Sequence, residues 1–137
     1  MVIIIKKRQL GSFKDDRGIL HWASPKLLNF DYKYLTIGSI EPGCKRGNHY
    51  HKKTIEQFMC INGKVTCVMD NERTILEPGD IVYIPLLAIH TFVNEGKETA
   101  YFLEFKDREF DKQDPDIFFA DDRSKTAEGQ ASREQVA

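Results

Sequence analysis

The sequence predicts a single all-β domain, folded as a closed barrel or a double-sheet jelly roll. The chain has 137 residues, which is enough for one domain with a sizeable hydrophobic core. Short strand-like segments follow one another at an even spacing, and turn residues separate them. No long segment has the hydrophobic period of an amphipathic helix.

The predicted strands are short runs rich in apolar residues that end at turn signals. They cover residues 2–5, 18–23, 32–40, 48–52, 54–61, 64–69, 73–76, 81–85, 90–93 and 99–105. The clearest turn signals between them are Glu41-Pro42-Gly43, Asn62-Gly63 and Glu77-Pro78-Gly79-Asp80. Helix is expected only as a single turn over residues 107–112.

We divide the chain into a barrel over residues 1–110 and a C-terminal extension over residues 111–137. From about residue 121 the extension is polar and contains almost no apolar side chains. Such a segment cannot bury enough apolar surface to offset the entropy lost on ordering it, so we expect it to be mobile.

Charge and cysteine content argue against several classes of protein. Lys and Arg number 20 and Asp and Glu number 21, so the formal net charge is −1. This balance gives no electrostatic reason to expect a nucleic acid or a membrane as partner. The three cysteines contain no C-x-x-C pair, which argues against a zinc knuckle or a disulfide framework. The apolar run at residues 2–5 is too short for a signal peptide or a membrane span, so a cytoplasmic protein is expected.

Histidines and a glutamate recur at a long and specific spacing in the middle of the chain. Residues 43–63 read G-x5-H-x-H-x4-E-x6-G and supply His49, His51 and Glu56. Residues 79–94 read G-x5-P-x4-H-x3-N and supply His90. Because residues i and i+2 of a strand point to the same face, His49 and His51 should project together. Glu56 joins them if the chain turns back after His51, and His90 must come from a more distant strand.

Imidazoles and a carboxylate at a barrel mouth can hold a divalent metal or act without one. The predicted ligands are His49, His51, Glu56 and His90, with zinc favoured and iron, manganese, nickel or copper as alternatives. The same imidazoles can serve as acid–base groups in a metal-free site, and this alternative stays open. No organic cofactor is expected.

This spacing resembles both signature motifs of the cupin superfamily. The resemblance implies a cupin-type double-stranded β-helix, that is, a jelly-roll barrel in a single domain. One departure lies in the second motif, where the family usually has P-x-G and this chain has Pro85-Leu86-Leu87. The missing glycine should alter the turn before His90 and leave the ligand itself in place.

Two further segments resemble nucleotide-sugar-modifying cupins. Residues 13–18 read F-x-D-x-R-G, and an R-G-x-H motif follows at residues 46–49, a pair that is similar to dTDP-4-dehydrorhamnose 3,5-epimerases. The longer R-G-x-H-x-H-K-K motif is similar to the WxcM-like dTDP-4-keto-6-deoxyhexose 3,4-ketoisomerases. R-G-N-H-Y-H followed by Glu56 is similar to the cupin domain of capsular polysaccharide UDP-sugar epimerase/reductases.

Two residues distinguish this chain from individual subgroups. The 3,5-epimerases have one histidine in this motif, whereas this chain has His51 as well. The ketoisomerases work without metal and need no carboxylate where Glu56 stands. Glu56 therefore favours the metal-bearing subgroup.

The resemblances imply a nucleotide-sugar isomerase or epimerase that transfers a proton next to a 4-keto group in surface-polysaccharide biosynthesis. Such a reaction needs a base whose pKa is near the working pH, and a positive group or donor at the developing oxyanion. We expect His49 or His51 to be the base and Tyr34 or Tyr50 to supply the opposing proton. Arg46 and Arg17 are expected to bind the substrate, for instance through its phosphates.

Structural roles and other functions remain alternatives to this interpretation. Tyr34 can equally be a core residue, Arg46 an exposed loop residue, and Arg17 half of a surface ion pair. A metal-dependent cupin of another type, such as a dioxygenase, and a non-catalytic sugar-binding cupin are the competing functions. A homodimer is expected, with residues 2–5 as a swapped or edge-pairing strand.

Overall fold

Strands make up almost all the regular structure of the computed structural model, which describes residues 2–23 and 31–120. A single 3-10 turn at Lys7–Gln9 is the helical element of these residues. The strands are β1 (Ile3–Ile5), β2 (Gly11–Asp15), β3 (Gly18–Trp22), β4 (Tyr34–Ile40), β5 (Lys45–Tyr50), β6 (Glu56–Asn62), β7 (Val65–Met69), β8 (Glu72–Leu76), β9 (Ile81–Ile84), β10 (His90–Asn94), β11 (Ala100–Lys106) and β12 (Phe118–Phe119).

Two five-stranded antiparallel sheets form the walls of the barrel. The first has the order β1-β9-β6-β11-β4 and the second the order β12-β5-β10-β7-β8, while β2 and β3 form a separate hairpin. Strands that are neighbours in a sheet are mostly distant in sequence, as in a jelly roll. The predicted all-β fold, a single jelly-roll domain, is therefore confirmed.

Aromatic side chains from both sheets meet in the core. Phe58 of β6 and Phe102 of β11 come from the first sheet, and Phe92 of β10 comes from the second. The ring centroids of Phe58 and Phe92 lie 3.7 Å apart, and those of Phe58 and Phe102 lie 4.9 Å apart. Cys60 and Cys67 are buried beside them, and burial raises their pKa to about 11 and about 12. These thiols stay protonated at neutral pH and act as small core residues.

A bulge in β5 brings this strand close to β10. The register between the two strands shifts between His90 and Thr91, where Gly47 has a φ of +113°. A Cβ atom on Gly47 would lie 2.6 Å from the His90 carbonyl oxygen, so only glycine allows this approach. The bulge lies two residues before His49, which pairs with His90 in the sheet. It thus sets the position of two predicted site residues.

Three elements differ from the sequence-based prediction. The prediction lacks both β2 and β12, and the helical turn over residues 107–112 is wrong because these residues form bends and a turn. Asp107 explains the last difference. Its backbone N–H donates to the Ile55 carbonyl (3.1 Å) and its carboxylate accepts from the Ile55 N–H (2.9 Å). These bonds tie the chain to the start of β6 instead of to a helical turn.

The C-terminal part of the described chain lies against the barrel. β12 pairs with β5, and the Ala120 N–H donates to the Asn48 carbonyl (2.9 Å). The predicted mobility of residues 121–137 concerns positions outside the described residues, and the division at residue 110 stays a prediction. Within the described part, no helix has the length and apolar character needed to cross a bilayer.

Candidate active site

Three buried histidines meet at one end of the barrel. His49 lies in β5, His51 directly follows that strand, and His90 is the first residue of β10. One ring nitrogen of each lies within 4.8 Å of the others, and all three side chains are buried. The ring centroids are separated by 4.6 to 5.2 Å. The pairing of β5 with β10 explains this grouping, because His49 and His90 are partners in the sheet.

Glu56 completes the cluster from the first sheet. It is the first residue of β6 and is 2% exposed. Its Oε1 lies 3.1 Å from His51 Nε2, and its Oε2 lies 3.6 Å from His90 Nε2. Neither His51 Nε2 nor Glu56 Oε1 is satisfied by a hydrogen bond of good geometry among the described residues. The structure thus brings all four predicted ligands together.

Burial and neighbouring charges give these groups different pKa values. Burial lowers the pKa of His90 to about 3, and the nearby His49 acts in the same direction. Burial alone would also lower the pKa of His51, but the Glu56 carboxylate outweighs it and raises that pKa. For Glu56, burial favours the neutral form, yet the charges of His51 and Lys106 hold its pKa well below the usual value. Burial therefore keeps His90 neutral and the neighbouring charges keep Glu56 ionised, while the Glu56 carboxylate shifts the balance of His51 toward its protonated form.

Lys106 adds a positive charge that the sequence motifs do not predict. Its Nζ lies 3.4 Å from Glu56 Oε1 and 3.9 Å from Glu104 Oε2, and its side chain is 21% exposed. A signal for it exists in the period of β11, since Phe102, Glu104 and Lys106 alternate on one face. Two charged residues on the inward-facing side of a strand, next to a buried phenylalanine, indicate that this end of the barrel interior is polar.

The three histidines and Glu56 line a cavity of about 460 Å³. The phenylalanines of the core also line it, together with several polar side chains: Tyr34, Thr36, Arg46, Glu104 and Lys106. An apolar pocket with a few convergent polar groups is the usual form of a small-molecule site. Its volume is within the range that such sites occupy.

Two of the residues predicted to act on substrate line this cavity. Tyr34 is the first residue of β4 and is 39% exposed, and the Lys106 ammonium lies 5.9 Å from its ring centroid. Arg46 lies in β5, three residues before His49, and its Nε–H donates to the Ser39 carbonyl (2.9 Å). Both residues are therefore placed where a bound molecule can contact them.

Two other predicted residues lie away from the cavity of the same chain. Tyr50 stands between His49 and His51, so strand alternation turns it to the opposite face, where it stacks on Phe118 at a centroid distance of 5.5 Å. Arg17 lies at the tip of the β2–β3 hairpin, and its side chain is 84% exposed and paired with Asp15 at 2.5 Å. Their functional roles stay predictions.

The turn before His90 carries an unusual backbone conformation. Leu87 occupies the position where the P-x-G motif has glycine, and its φ is +69°. Its backbone N–H donates to the His51 carbonyl (2.8 Å), which links this turn to the site. A left-handed backbone is costly for a branched residue and easy for glycine. The chain thus adopts a glycine-like turn without the glycine.

The donor set fits a divalent metal ion. His51 Nε2, Glu56 Oε1 and His90 Nε2 are buried without a hydrogen-bond partner among the described residues. The other ring nitrogens of His51 and His90 donate to carbonyl oxygens, of Asp116 (2.7 Å) and Ala88 (2.9 Å) respectively. Such bonds fix the tautomer in which Nε2 offers its lone pair to a metal. The three buried histidines can therefore hold a metal, with Glu56 beside them.

Comparison with known proteins agrees with this architecture. Residues 36–106, more than half of the chain, match the family model described as Cupin domain. The quercetin 2,3-dioxygenase of Bacillus subtilis is 31% identical over 65 residues, which cover 47% of this chain and 19% of that protein. The chain spans about a fifth of the length of the curated relatives it matches.

Two solved structures share the fold. The QdtA 3,4-ketoisomerase of Thermoanaerobacterium thermosaccharolyticum, solved as a double mutant in complex with TDP, has 25% identity and a TM-score of 0.69, covering 85% of this chain and 86% of that one. The capsular polysaccharide assembling protein CapF of Staphylococcus aureus has 23% identity and a TM-score of 0.62, covering 80% of this chain and 34% of that one. From its barrel, its motif residues and the match over residues 36–106, this chain belongs to the cupin family.

Proposed function

We propose that the chain is a nucleotide-sugar isomerase or epimerase that transfers a proton next to a 4-keto group, in surface-polysaccharide biosynthesis. The buried cluster of His49, His51, His90 and Glu56, which lines an open cavity, carries this proposal. The likeness to a 3,4-ketoisomerase supports the substrate class. The likeness to the capsule-assembling protein concerns the fold alone, so the chemistry is argued from the residues.

The reaction begins with removal of a proton from the carbon beside the ketone. His49 or His51, with an unprotonated ring nitrogen, accepts this proton and leaves an enediolate. Return of a proton to the opposite face of the same carbon inverts it. Return to the former carbonyl carbon, with the hydroxyl proton moved to the former carbonyl oxygen, shifts the ketone along the ring. Tyr34 lines the cavity and is the better placed of the two predicted tyrosines to supply that proton.

Positive side chains on the cavity wall suit the charges of such a substrate. Lys106 lies beside Glu56, so it can stabilise the oxyanion that develops during proton removal. Arg46 lines the same cavity and can bind a diphosphate through its guanidinium. The TDP complex of the similar ketoisomerase supports a nucleoside diphosphate as the group bound.

A metal, if bound, would add to this chemistry. His49, His51, His90 and Glu56 would hold it, with zinc favoured over iron, manganese or nickel. It would polarise the substrate ketone and so make the neighbouring proton more acidic.

Proton exchange with solvent tests the proposal directly. The chain is incubated with dTDP- and UDP-linked 4-keto sugars in deuterated water, and the sugar is followed by NMR. We expect deuterium at a carbon next to the ketone, together with a moved ketone or an inverted centre. His49→Asn and His51→Asn should each abolish the exchange, whereas the exposed His21→Asn should not. Full exchange in both site variants would refute the assigned roles, and binding without any exchange would indicate a sugar-binding protein.

A dioxygenase is the second candidate, and one observation favours it. Quercetin 2,3-dioxygenase of Bacillus subtilis shares 31% identity over 65 residues, and three histidines with a glutamate also suit redox-active iron. Elemental analysis separates the two functions. Stoichiometric iron with oxygen consumption would support the dioxygenase, and zinc or no metal would support sugar chemistry.

We also propose that the protein is a homodimer. The β2–β3 hairpin pairs with no other strand of the described chain and exposes four large apolar side chains: Phe13, Ile19, Leu20 and Trp22. Phe13 lies opposite Leu20, and residues two apart in a strand point to the same side, so Phe13, Leu20 and Trp22 share one face of the hairpin and Ile19 lies on the other. An isolated hairpin is marginally stable in water, so a second copy covering the face with Phe13 would stabilise it. Residues 2–5, predicted to swap or pair between subunits, contain β1, which pairs with β9 of the same chain in this structure. Sedimentation at micromolar concentration tests the proposal, and a monomer would refute it.

A further inference from the structure

Asp116 lies outside the sequence motifs, yet it contacts the site from the C-terminal segment. Its side chain is 2% exposed, and its backbone has a left-handed φ of +55°. Two residues later, β12 pairs with β5, with Phe119 opposite His49. The segment around Asp116 is thereby held against the strand that carries two of the site histidines.

The carboxylate of Asp116 organises the turn between β5 and β6. Oδ1 accepts the Lys52 N–H, and Oδ2 accepts the N–H groups of Lys53 and Thr54, each at 2.8 Å. The Thr54 hydroxyl also donates to Oδ2 at 2.8 Å. Three consecutive backbone donors on one buried carboxylate fix the path of the chain from His51 to Glu56. The next backbone donor of the turn, the Ile55 N–H, is accepted by the Asp107 carboxylate (2.9 Å).

The main chain of the same residue fixes the imidazole of His51. The Asp116 carbonyl accepts the Nδ1–H of His51 at 2.7 Å. Since a carbonyl can only accept, this bond requires a proton on Nδ1 and directs Nε2 toward Glu56, 3.1 Å away. One residue therefore controls both the ring orientation and the turn that follows it.

We propose that Asp116 is a positioning residue, which holds His51 in one tautomer and sets its distance from Glu56. The effect on turnover rests on the proposed function, whereas the effect on the His51 ring does not. Loss of the carboxylate leaves the carbonyl in the chain but frees the turn and the segment that aim it. The His51 ring would then rotate and exchange its Nδ1 proton with water.

The experiment compares the full chain with Asp116→Ala, Asp116→Asn and the control Asp114→Ala. Asp114 lies in the same segment and pairs with the Lys53 ammonium (2.6 Å) and with Arg108 (3.5 Å), so its removal costs two ion pairs outside the buried cluster. NMR of 15N-labelled histidine at neutral pH reports the Nδ1 proton of His51, assigned by its loss in His51→Asn. We expect this proton in slow exchange in the wild type and the control, partial loss in Asp116→Asn, and full loss in Asp116→Ala.

Kinetics gives the second readout. The kcat of Asp116→Ala should fall about 10- to 100-fold, as for residues that orient a functional histidine, with KM changed less than about threefold. Asp116→Asn should recover part of the kcat. Two results would overturn the proposal. One is a wild type without a slowly exchanging Nδ1 proton on His51, which does not depend on whether Asp116→Ala folds. The other is an Asp116→Ala spectrum like that of the wild type. A wild type that turns over no nucleotide sugar refutes the proposed function alone.

Discussion

The free energy of unfolding at acidic pH should report how strongly the barrel disfavours a protonated His90. The side chain is 2% exposed, and burial lowers its pKa from the usual 6.5 to about 3. The unfolded chain therefore takes up a proton at His90 below about pH 6.5, whereas the folded chain does so only near pH 3. Because a proton bound by the unfolded state alone favours unfolding, the free energy of unfolding should fall as the pH drops through this window.

The size of the effect follows from the width of the window. Each pH unit inside it costs about 1.4 kcal/mol, so His90 alone should remove about 3 kcal/mol between about pH 6.5 and about pH 4.5. His51 and Glu56, whose pKa values are also shifted, keep their stabilising contributions within this pH range. The pKa of His51 is raised, so its pairing stabilises on the acid side and is lost as the pH rises through that pKa. The pKa of Glu56 is lowered from 4.5, so its contribution is lost as the pH falls below about 4.5.

Urea unfolding of the wild type and of His90→Asn, followed by circular dichroism at several pH values, tests this reasoning. The asparagine amide can keep the donor that meets the Ala88 carbonyl. A chelator in all samples removes any effect of bound metal. The variant should lose about 3 kcal/mol less than the wild type on acidification, while the exposed His21→Asn should follow the wild type. Equal slopes for the wild type and His90→Asn would refute the argument.

Three further predictions concern the turns and the charge around the site. Leu87→Gly should raise the free energy of unfolding by up to about 1 kcal/mol in urea unfolding, because Leu87 has a φ of +69° and an exposed side chain; a clear loss of stability would contradict this. Gly47→Ala should destabilise by more than about 1 kcal/mol and impair turnover, since its Cβ would lie 2.6 Å from the His90 carbonyl oxygen; wild-type stability would show that the strands can separate freely. Lys106→Met should lower kcat by about 100- to 1000-fold if Lys106 stabilises the oxyanion, with the exposed Lys97→Met as control; an unchanged kcat would exclude that role.

The barrel and the four clustered residues could be predicted from the sequence because both follow from local rules. Strand periodicity places His49 and His51 on one face, and the motif spacing places Glu56 in the next predicted strand, over residues 54–61. The alternation that turns Tyr50 away from the cavity follows from the same rule. These features depend on the direction of side chains along single strands.

Residues that reach the site through distant contacts were not predictable in this way. Asp116 belongs to a polar segment, and its bonds to the turn after His51 depend on β12 lying beside β5. The β2–β3 hairpin is exposed in the single chain, so hydrophobic alternation toward a core could not identify β2. Lys106 had a signal in the alternation of β11, but only the three-dimensional pairing places it beside Glu56.

The bond between His51 and Asp116 joins residues 65 positions apart and has a consequence for folding and synthesis. Contacts between distant segments form slowly, because a long loop must close before they contribute. On the ribosome, where chains emerge from the N-terminus, the strands bearing the histidines are made well before Asp116. The barrel can thus begin to assemble while the imidazole of His51 is still free to rotate. The site reaches its final geometry only when the β12 segment has been synthesised and has paired with β5.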